Sequence, residues 1–308
     1  MNPPFNRQTV KIPSAESNTF LDVWLYTPPG PGPFPVVVAG HGLTLCKEAG
    51  MAVFGERWAS EAGWASLILD YRGFGDSDGQ RNLVIWKNQV QDYLSVISWA
   101  RSSENQTKFL RDKIVVMGSA MSGLSVAEII TRDDVEGIAG GMAHCPVLDA
   151  KAVLNSMTPN PRLLFWAAID WVGSKLRFPP VFVPAVGNPD EFAFLKTPSC
   201  LPGFTTVYSK ASKTFKQTPN VTCARLAFEL FAASPGLKLK DLKCPMLVVM
   251  AEEDDITPPE ITRDIVGKAL GKVELVPAPG GHFDVMEGGK GYETNINAQT
   301  AFLKKLME

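Results

Sequence analysis

Only three histidines and five cysteines occur in the 308 residues. Cys46, Cys145, Cys200, Cys223 and Cys244 are odd in number, widely spaced and free of any CxxC pair. That spacing argues against a disulfide framework and a cysteine-built zinc site, and for reduced thiols in an intracellular protein. No apolar stretch reaches the roughly 20 residues that a membrane helix needs. The 30 basic and 32 acidic residues leave a net charge of −2, with no long run of either sign. Nucleic acid and membrane are therefore not expected partners. The opening "MNPPFNRQTV" lacks the apolar centre of a signal peptide, and the closing "KKLME" is not a peroxisomal address. A cytoplasmic location is the expectation. No internal repeat or low-complexity tract interrupts the chain.

What is present is an ordinary globular composition, 45% hydrophobic and 20% charged. The length suits one large α/β domain or two small ones and buries a sizeable core without staples. The first 145 residues alternate strand and helix patterns. Strands are expected at 19–28 (alternating and half-exposed), 34–42, 64–71, 113–118 and 137–145. Helices are expected at 52–62, 86–102 and 121–131, the second with Val90, Leu94, Ile97 and Ala100 at helical spacing. Residues 146–239 then lose this rhythm and turn rich in Phe, Trp and Pro. It resumes with a strand at 244–250, a helix from about Pro259 to Leu270, a strand at 272–279 and a helix near 291–307.

Alternating elements imply a mostly parallel sheet with helices on both faces. The expected organisation is a core from 1–145 and 240–308, with 146–239 inserted as a lid. A segment that long and that aromatic inside a domain is more often a cover than a disordered loop. Ligands of such sheets bind beyond the carboxyl ends of the strands, so the residues just after each strand carry the functional reading.

One of those stretches is "GSAMSG", Gly118 to Gly123, between a strand and a helix. A turn that exposes a nucleophile is strained and needs small flanks, the origin of G-x-S-x-G. Gly118 and Ser122 supply those flanks, but Ala120 stands at the apex. Taken alone, the segment is equally an ordinary β–α turn with small packing residues. The loop "AEEDDITPP" after the 244–250 strand offers Asp254 or Asp255 to orient a histidine; either also serves as a solvated loop residue or a helix cap. His282 follows the last strand in "PGGHFDV", where two glycines permit a tight turn. The order elbow, acid, histidine sets His282 apart from a lone structural histidine. Backbone N–H groups of Leu43 and Met121 are placed to hold an oxyanion, and His41 beside Gly42 is expected to shape that loop.

Together "HGLTLCKE", "ASLILDYRGFGDSDG", "KIVVMGSAMSG", "AEEDDITPPE" and "GGHFDVMEG" resemble the α/β-hydrolase superfamily. They are most similar to a branch of dienelactone-hydrolase-like and fungal polyketide-processing hydrolases and acyltransferases. The resemblance spans about residues 9–145 and 240–308. It implies an α/β-hydrolase fold, Ala120 at the nucleophile position, Asp254 as the acid, His282 as the base, and oxyanion donors at Leu43 and Met121. In that family the aspartate stands four residues before the proline, which favours Asp254 over Asp255. Neither cofactor nor metal is implied. The implied substrate is a small molecule with a bulky apolar or polyketide-like acyl group, donated as ester or thioester, with an acyl carrier or polyketide synthase as one donor. His41, Tyr71, Phe165 and Trp166 are the candidate substrate contacts. The oligomeric state stays open.

Ala120 admits three accounts: a working serine replaced by alanine, a natural non-hydrolytic isomerase, lyase or cyclase using the Asp254–His282 pair, or an inert binding protein. Ser119 and Ser122 are poor substitutes. The first precedes the apex, and the second already lies in the helix as a small packing residue.

Overall fold

The computed structural model describes residues 4–269 and 271–308; Leu270, the expected end of one helix, lies outside the described residues. In chain order the first elements are β1 (Asn6–Pro13), β2 (Phe20–Thr27), β3 (Phe34–Gly40), α1 (Ala52–Arg57), β4 (Ala65–Leu69), α2 (Trp86–Ala100), β5 (Phe109–Ser119), α3 (Gly123–Thr131) and β6 (Ile138–His144). There follow α4 (Ala150–Ser156), α5 (Pro161–Lys175), β7 (Phe182–Pro184), α6 (Cys200–Val207), β8 (Val221–Cys223) and α7 (Leu226–Phe231). The chain closes with β9 (Met246–Ala251), α8 (Pro259–Gly267), β10 (Val273–Ala278) and α9 (Tyr292–Lys305).

Eight strands form one sheet in the order β1-β2-β4-β3-β5-β6-β9-β10. β1 and β2 pair antiparallel, as do β2 and β4; every other neighbour is parallel. The order reverses at β3, whose neighbours are β4 on one side and β5 on the other. Crossovers to opposite sides leave a crevice above β3 and β5, where the loops after Gly40 and Ser119 emerge. The apolar runs at β3, β4 and β9 are buried almost throughout, as parallel strands covered on both faces should be.

Within the main sheet two strands depart from the sequence expectation. β1 is new: its "NRQTVKIP" is exposed except around Ile12, so it is an edge strand held by backbone pairing, with too short an apolar pattern to announce it. β2 alternates in sequence yet is buried on both faces. Its polar member Asp22 is 5% exposed because it pairs with the buried Lys47. The segment between β6 and β9 carries α4 to α7 and a two-stranded antiparallel pair of β7 and β8. Among the described residues no helix is long and apolar enough to cross a membrane.

Candidate active site

The elbow begins with β5. Ala120 has φ +49°, a left-handed conformation costly for any residue with a Cβ. Strain of that kind persists only where the surroundings enforce it. Gly118 must be glycine because a Cβ there would lie 2.6 Å from the Ser122 carbonyl oxygen. The hydroxyl of Ser122 donates to the His41 carbonyl and lies 2.5 Å from the Tyr71 hydroxyl. Ser122 is thus more than a small packing residue: it ties the elbow to the loop after β3. Val147 N–H also donates to the Ala120 carbonyl at 2.9 Å. The backbone is therefore pinned with the side chain of residue 120 presented to a cavity.

The candidate acid and base meet across two loops. His282 Nδ1 is 2.8 Å from Asp254 Oδ2 and 3.0 Å from Oδ1. Asp254 also accepts from Ile256 N–H at 2.9 Å, Thr257 N–H at 2.8 Å and the Thr257 hydroxyl at 2.7 Å. Burial pushes this carboxyl up, but the charge and hydrogen bond of His282, with those from Thr257, hold it below the ordinary carboxylate value. Asp255 points elsewhere: it accepts from Ser199 N–H at 3.0 Å and from the Ser199 hydroxyl, anchoring the start of α6. Ahead of His282, Gly280 adopts φ +92°, and a Cβ there would strike the Asp284 carboxylate. That turn carries the imidazole over the strand ends.

Ala120, His282, Leu43 and Met121 share the wall of one cavity of about 80 Å³. His41, Gly42 and Ser119 border it as well. Met121 begins the first turn after the elbow, where backbone N–H groups have no helical acceptor and the helix dipole favours negative charge. Across from these groups the wall is apolar, with Val153, Leu154, Met157 and Phe194 from the segment between β6 and β9. Leu154, Met157 and Phe194 also line an outer groove of about 540 Å³, so the two spaces share a wall. Such a site can bind an acyl carbonyl, stabilise an oxyanion and move a proton through an imidazole.

The other sequence candidates fall in different places. His41 is 1% exposed; its Nδ1 lies 3.0 Å from the Gly42 carbonyl and its ring packs edge-on against Tyr71. Full burial lowers its basicity despite the nearby Asp70 charge. Tyr71 is removed from the cavity wall: it is fully buried under the elbow, against Gly40 and Ser122. Phe165 and Trp166 do not line the cavity either. Phe165 is 59% exposed, because α5 turns Leu163, Ala167 and Asp170 inward instead.

Sequence reasoning passed over one group. Lys47, in the loop that carries Leu43, is 1% exposed. Its ammonium sits 2.7 Å from Asp22 Oδ1 and bonds the Asp70 carboxylate, which also accepts the Lys47 N–H at 2.7 Å. Burial opposes the charge, but Asp70 and Asp22 together raise the Lys47 basicity above normal. The signal was the lysine of "LCKE" set between Asp22 of β2 and Asp70 just past the end of β4. Among the described residues, one group places His, Cys and carboxylate ligand atoms together: Cys145, Asp254 and His282, within 4.8 Å. An ion there would have to replace the Asp254–His282 hydrogen bond.

Residues 33–282 match the serine aminopeptidase S33 family. The chain belongs to that family of α/β-hydrolases. It carries the α/β-hydrolase fold, an eight-stranded, mostly parallel sheet with helices. It is 29% identical to the quorum-quenching protein AidA of Acinetobacter baumannii, over 92% of this chain and 90% of the relative. Two solved structures share the fold. DcsB, in complex with its substrate analogue, aligns with a TM-score of 0.78 at 21% identity, covering 97% of this chain and 99% of DcsB. The α/β hydrolase GrgF from Penicillium sp. sh18 aligns with a TM-score of 0.77 at 21% identity, covering 98% and 99%.

Proposed function

We propose that this hydrolase-family chain is the alanine form of a Ser-His-Asp acyl hydrolase or acyltransferase. The supporting observation is the left-handed backbone of Ala120, kept at φ +49° beside a hydrogen-bonded Asp254–His282 pair. A left-handed residue at a strand-to-helix turn, with its side chain on the cavity wall beside that pair, is the geometry a nucleophile needs. In the serine form, the hydroxyl at position 120 attacks an ester or thioester carbonyl. His282 takes the proton and returns it to the leaving group, while Asp254 fixes the imidazole tautomer and stabilises its cation. The N–H groups of Leu43 and Met121 hold the oxyanion. Water or an alcohol or amine acceptor then removes the acyl group.

The cavity of about 80 Å³ holds a short acyl chain, since a single water takes about 10–15 Å³ on this measure. A bulkier or polyketide-like acyl group, donated by an acyl carrier or a free thioester, extends into the groove beyond Leu154 and Met157. Under this reading 146–239 acts as a lid over the strand ends.

A second reading rests on Ala120 itself. If alanine is the natural residue, the Asp254–His282 pair acts as a general acid–base on an enolisable substrate, with the oxyanion donors holding an enolate. Turnover of p-nitrophenyl acetate, butyrate and octanoate and of an acyl thioester separates the two. Ala120→Ser is expected to hydrolyse the short esters at least about 10⁴-fold faster than the Ala120 chain. If the Ala120 chain converts its own substrate and the serine adds nothing, the hydrolase reading fails.

A further inference from the structure

The outward face of α5 is apolar over its whole width. Leu164, Phe165, Ile169, Trp171, Val172 and Leu176 are 41–62% exposed. Phe178 follows at 63%, folded back on the helix end by its N–H to the Gly173 carbonyl at 2.9 Å, and Phe182 is 40% exposed. The opposite face is fixed in place. Asp170 is 1% exposed and accepts the N–H groups of Val181 at 2.9 Å and Arg225 at 2.8 Å. The helix therefore cannot roll over to hide its aromatic side.

We infer that this face is the contact surface of a dimer, with a second copy of the chain as its occupant. Area is the first argument. With a whole aromatic side chain presenting about 150–250 Å² and the aliphatic ones somewhat less, these exposed fractions amount to roughly 700 Å². The largest apolar patch on an ordinary monomer is about 300–600 Å², whereas a standard stable interface takes about 800 Å² from each partner.

The second argument is charge. Among the outward residues of α5 the only charges are Arg162 and Lys175, near its two ends. Arg162 lies 4.2 Å over the Phe192 ring, and the Lys175 ammonium 5.4 Å from the Trp171 ring centre. The middle carries no charge at all, as a surface that must face its own image requires. The cations of the patch, Arg162, Lys175 and the exposed Arg177 between Leu176 and Phe178, sit at its two ends and leave its centre uncharged. An anionic bilayer is typically held by about 4–8 basic residues, more than this helix offers.

Spacing is the third. Phe165, Ile169, Val172 and Leu176 recur at i, i+4, i+7 and i+11, the seam of a helix pair. Two copies of α5 crossing near Ile169 bury that seam. Leu164 and Phe231, half-exposed here, also line the outer groove next to the cavity, so the second copy roofs the lip of that groove.

Sedimentation velocity of the full chain from about 1 to 100 μM is the first test. A species of twice the 33.5 kDa chain mass is expected. Phe165→Glu with Val172→Glu should weaken it at least about 100-fold while far-UV circular dichroism stays unchanged. As a separate readout that keeps the surface apolar, Ile169→Cys should form an intermolecular disulfide on mild oxidation, and Leu237→Cys on a distant exposed site should not. A monomer at every concentration overturns the inference. So does a dimer that survives the glutamates, or equal cross-linking at both cysteines. A monomer that floats with phosphatidylcholine–phosphatidylglycerol vesicles and not with pure phosphatidylcholine also overturns it, assigning the face to a bilayer.

Discussion

In an Ala120→Ser background, His282→Ala is expected to abolish the restored hydrolysis, a loss on the order of 10⁶ in kcat. Asp254→Asn should cost less, on the order of 10⁴. The difference follows from the geometry. His282 Nδ1 is held by both oxygens of Asp254, leaving the other ring nitrogen for proton transfer at residue 120. Removing the imidazole removes the base. The asparagine leaves a base but offers it an amide, so the ring loses its preferred tautomer. In the Ala120 chain neither change should alter the rate, because there is no nucleophile to activate. Steady-state kinetics on a short p-nitrophenyl ester check both substitutions in both backgrounds. Equal losses from the two variants, or a restored rate that survives His282→Ala, would contradict the assigned roles.

Lys47→Met is expected to cost about 3–5 kcal/mol of folding stability, the usual price of breaking a buried charge network from one side. A domain of this kind has about 5–15 kcal/mol in total, so urea unfolding should show an early transition. The loss of the ammonium strands Asp22 and Asp70, which are 5% and 1% exposed. Lys11 still reaches Asp22 at 3.0 Å, but Asp70 keeps no comparable cation. The pH dependence has a definite sign. Burial pushes the Asp22 carboxyl up, but hydrogen bonds and charge from Lys47 and Lys11 bring it below its ordinary value. A depressed carboxyl contributes stability above its unfolded pKa and loses it as pH falls through the folded one. The gap between the parent and Lys47→Met should therefore be wide at pH 7 and narrow as pH falls into the acid range where the Asp22 carboxyl protonates. A gap that is constant with pH would assign the effect to lost packing. The loop held by Lys47 also carries Leu43, so the same variant should reduce kcat in the Ala120→Ser background.

How much of this was legible depended on the kind of signal. The buried strands β3, β5 and β9 announce themselves by β-branched runs and β4 by a short apolar run, and the loops after them by glycine, aspartate and histidine. The elbow was legible because strain demands small neighbours whatever stands at its apex. Asp254 was separable from Asp255 only by resemblance in the sequence; in three dimensions Asp255 is engaged by Ser199. What stayed hidden depends on tertiary partners. β1 offers only Val10 and Ile12 as inward-facing apolar residues, too short a pattern to announce a strand. Asp22 reads as the exposed member of an alternating strand, because its partner Lys47 comes 25 residues later. Phe165 and Trp166 lie on a helix that is apolar on nearly every side, so periodicity could not tell which side packs inward. Tyr71 ends a strand as a substrate contact would, yet its hydroxyl turns under the elbow to Ser122.

The central claim is that position 120 is a nucleophile site lacking its hydroxyl. Intact-mass and peptide mass spectrometry after treatment with a serine-directed fluorophosphonate measures this most directly. Ala120→Ser is predicted to gain one phosphonyl group per chain, at residue 120, and to lose that labelling when His282→Ala is added. The Ala120 chain should remain unlabelled. Failure of the Ala120→Ser chain to label, or labelling of Ser119 or Ser122 in the Ala120 chain, would contradict the account.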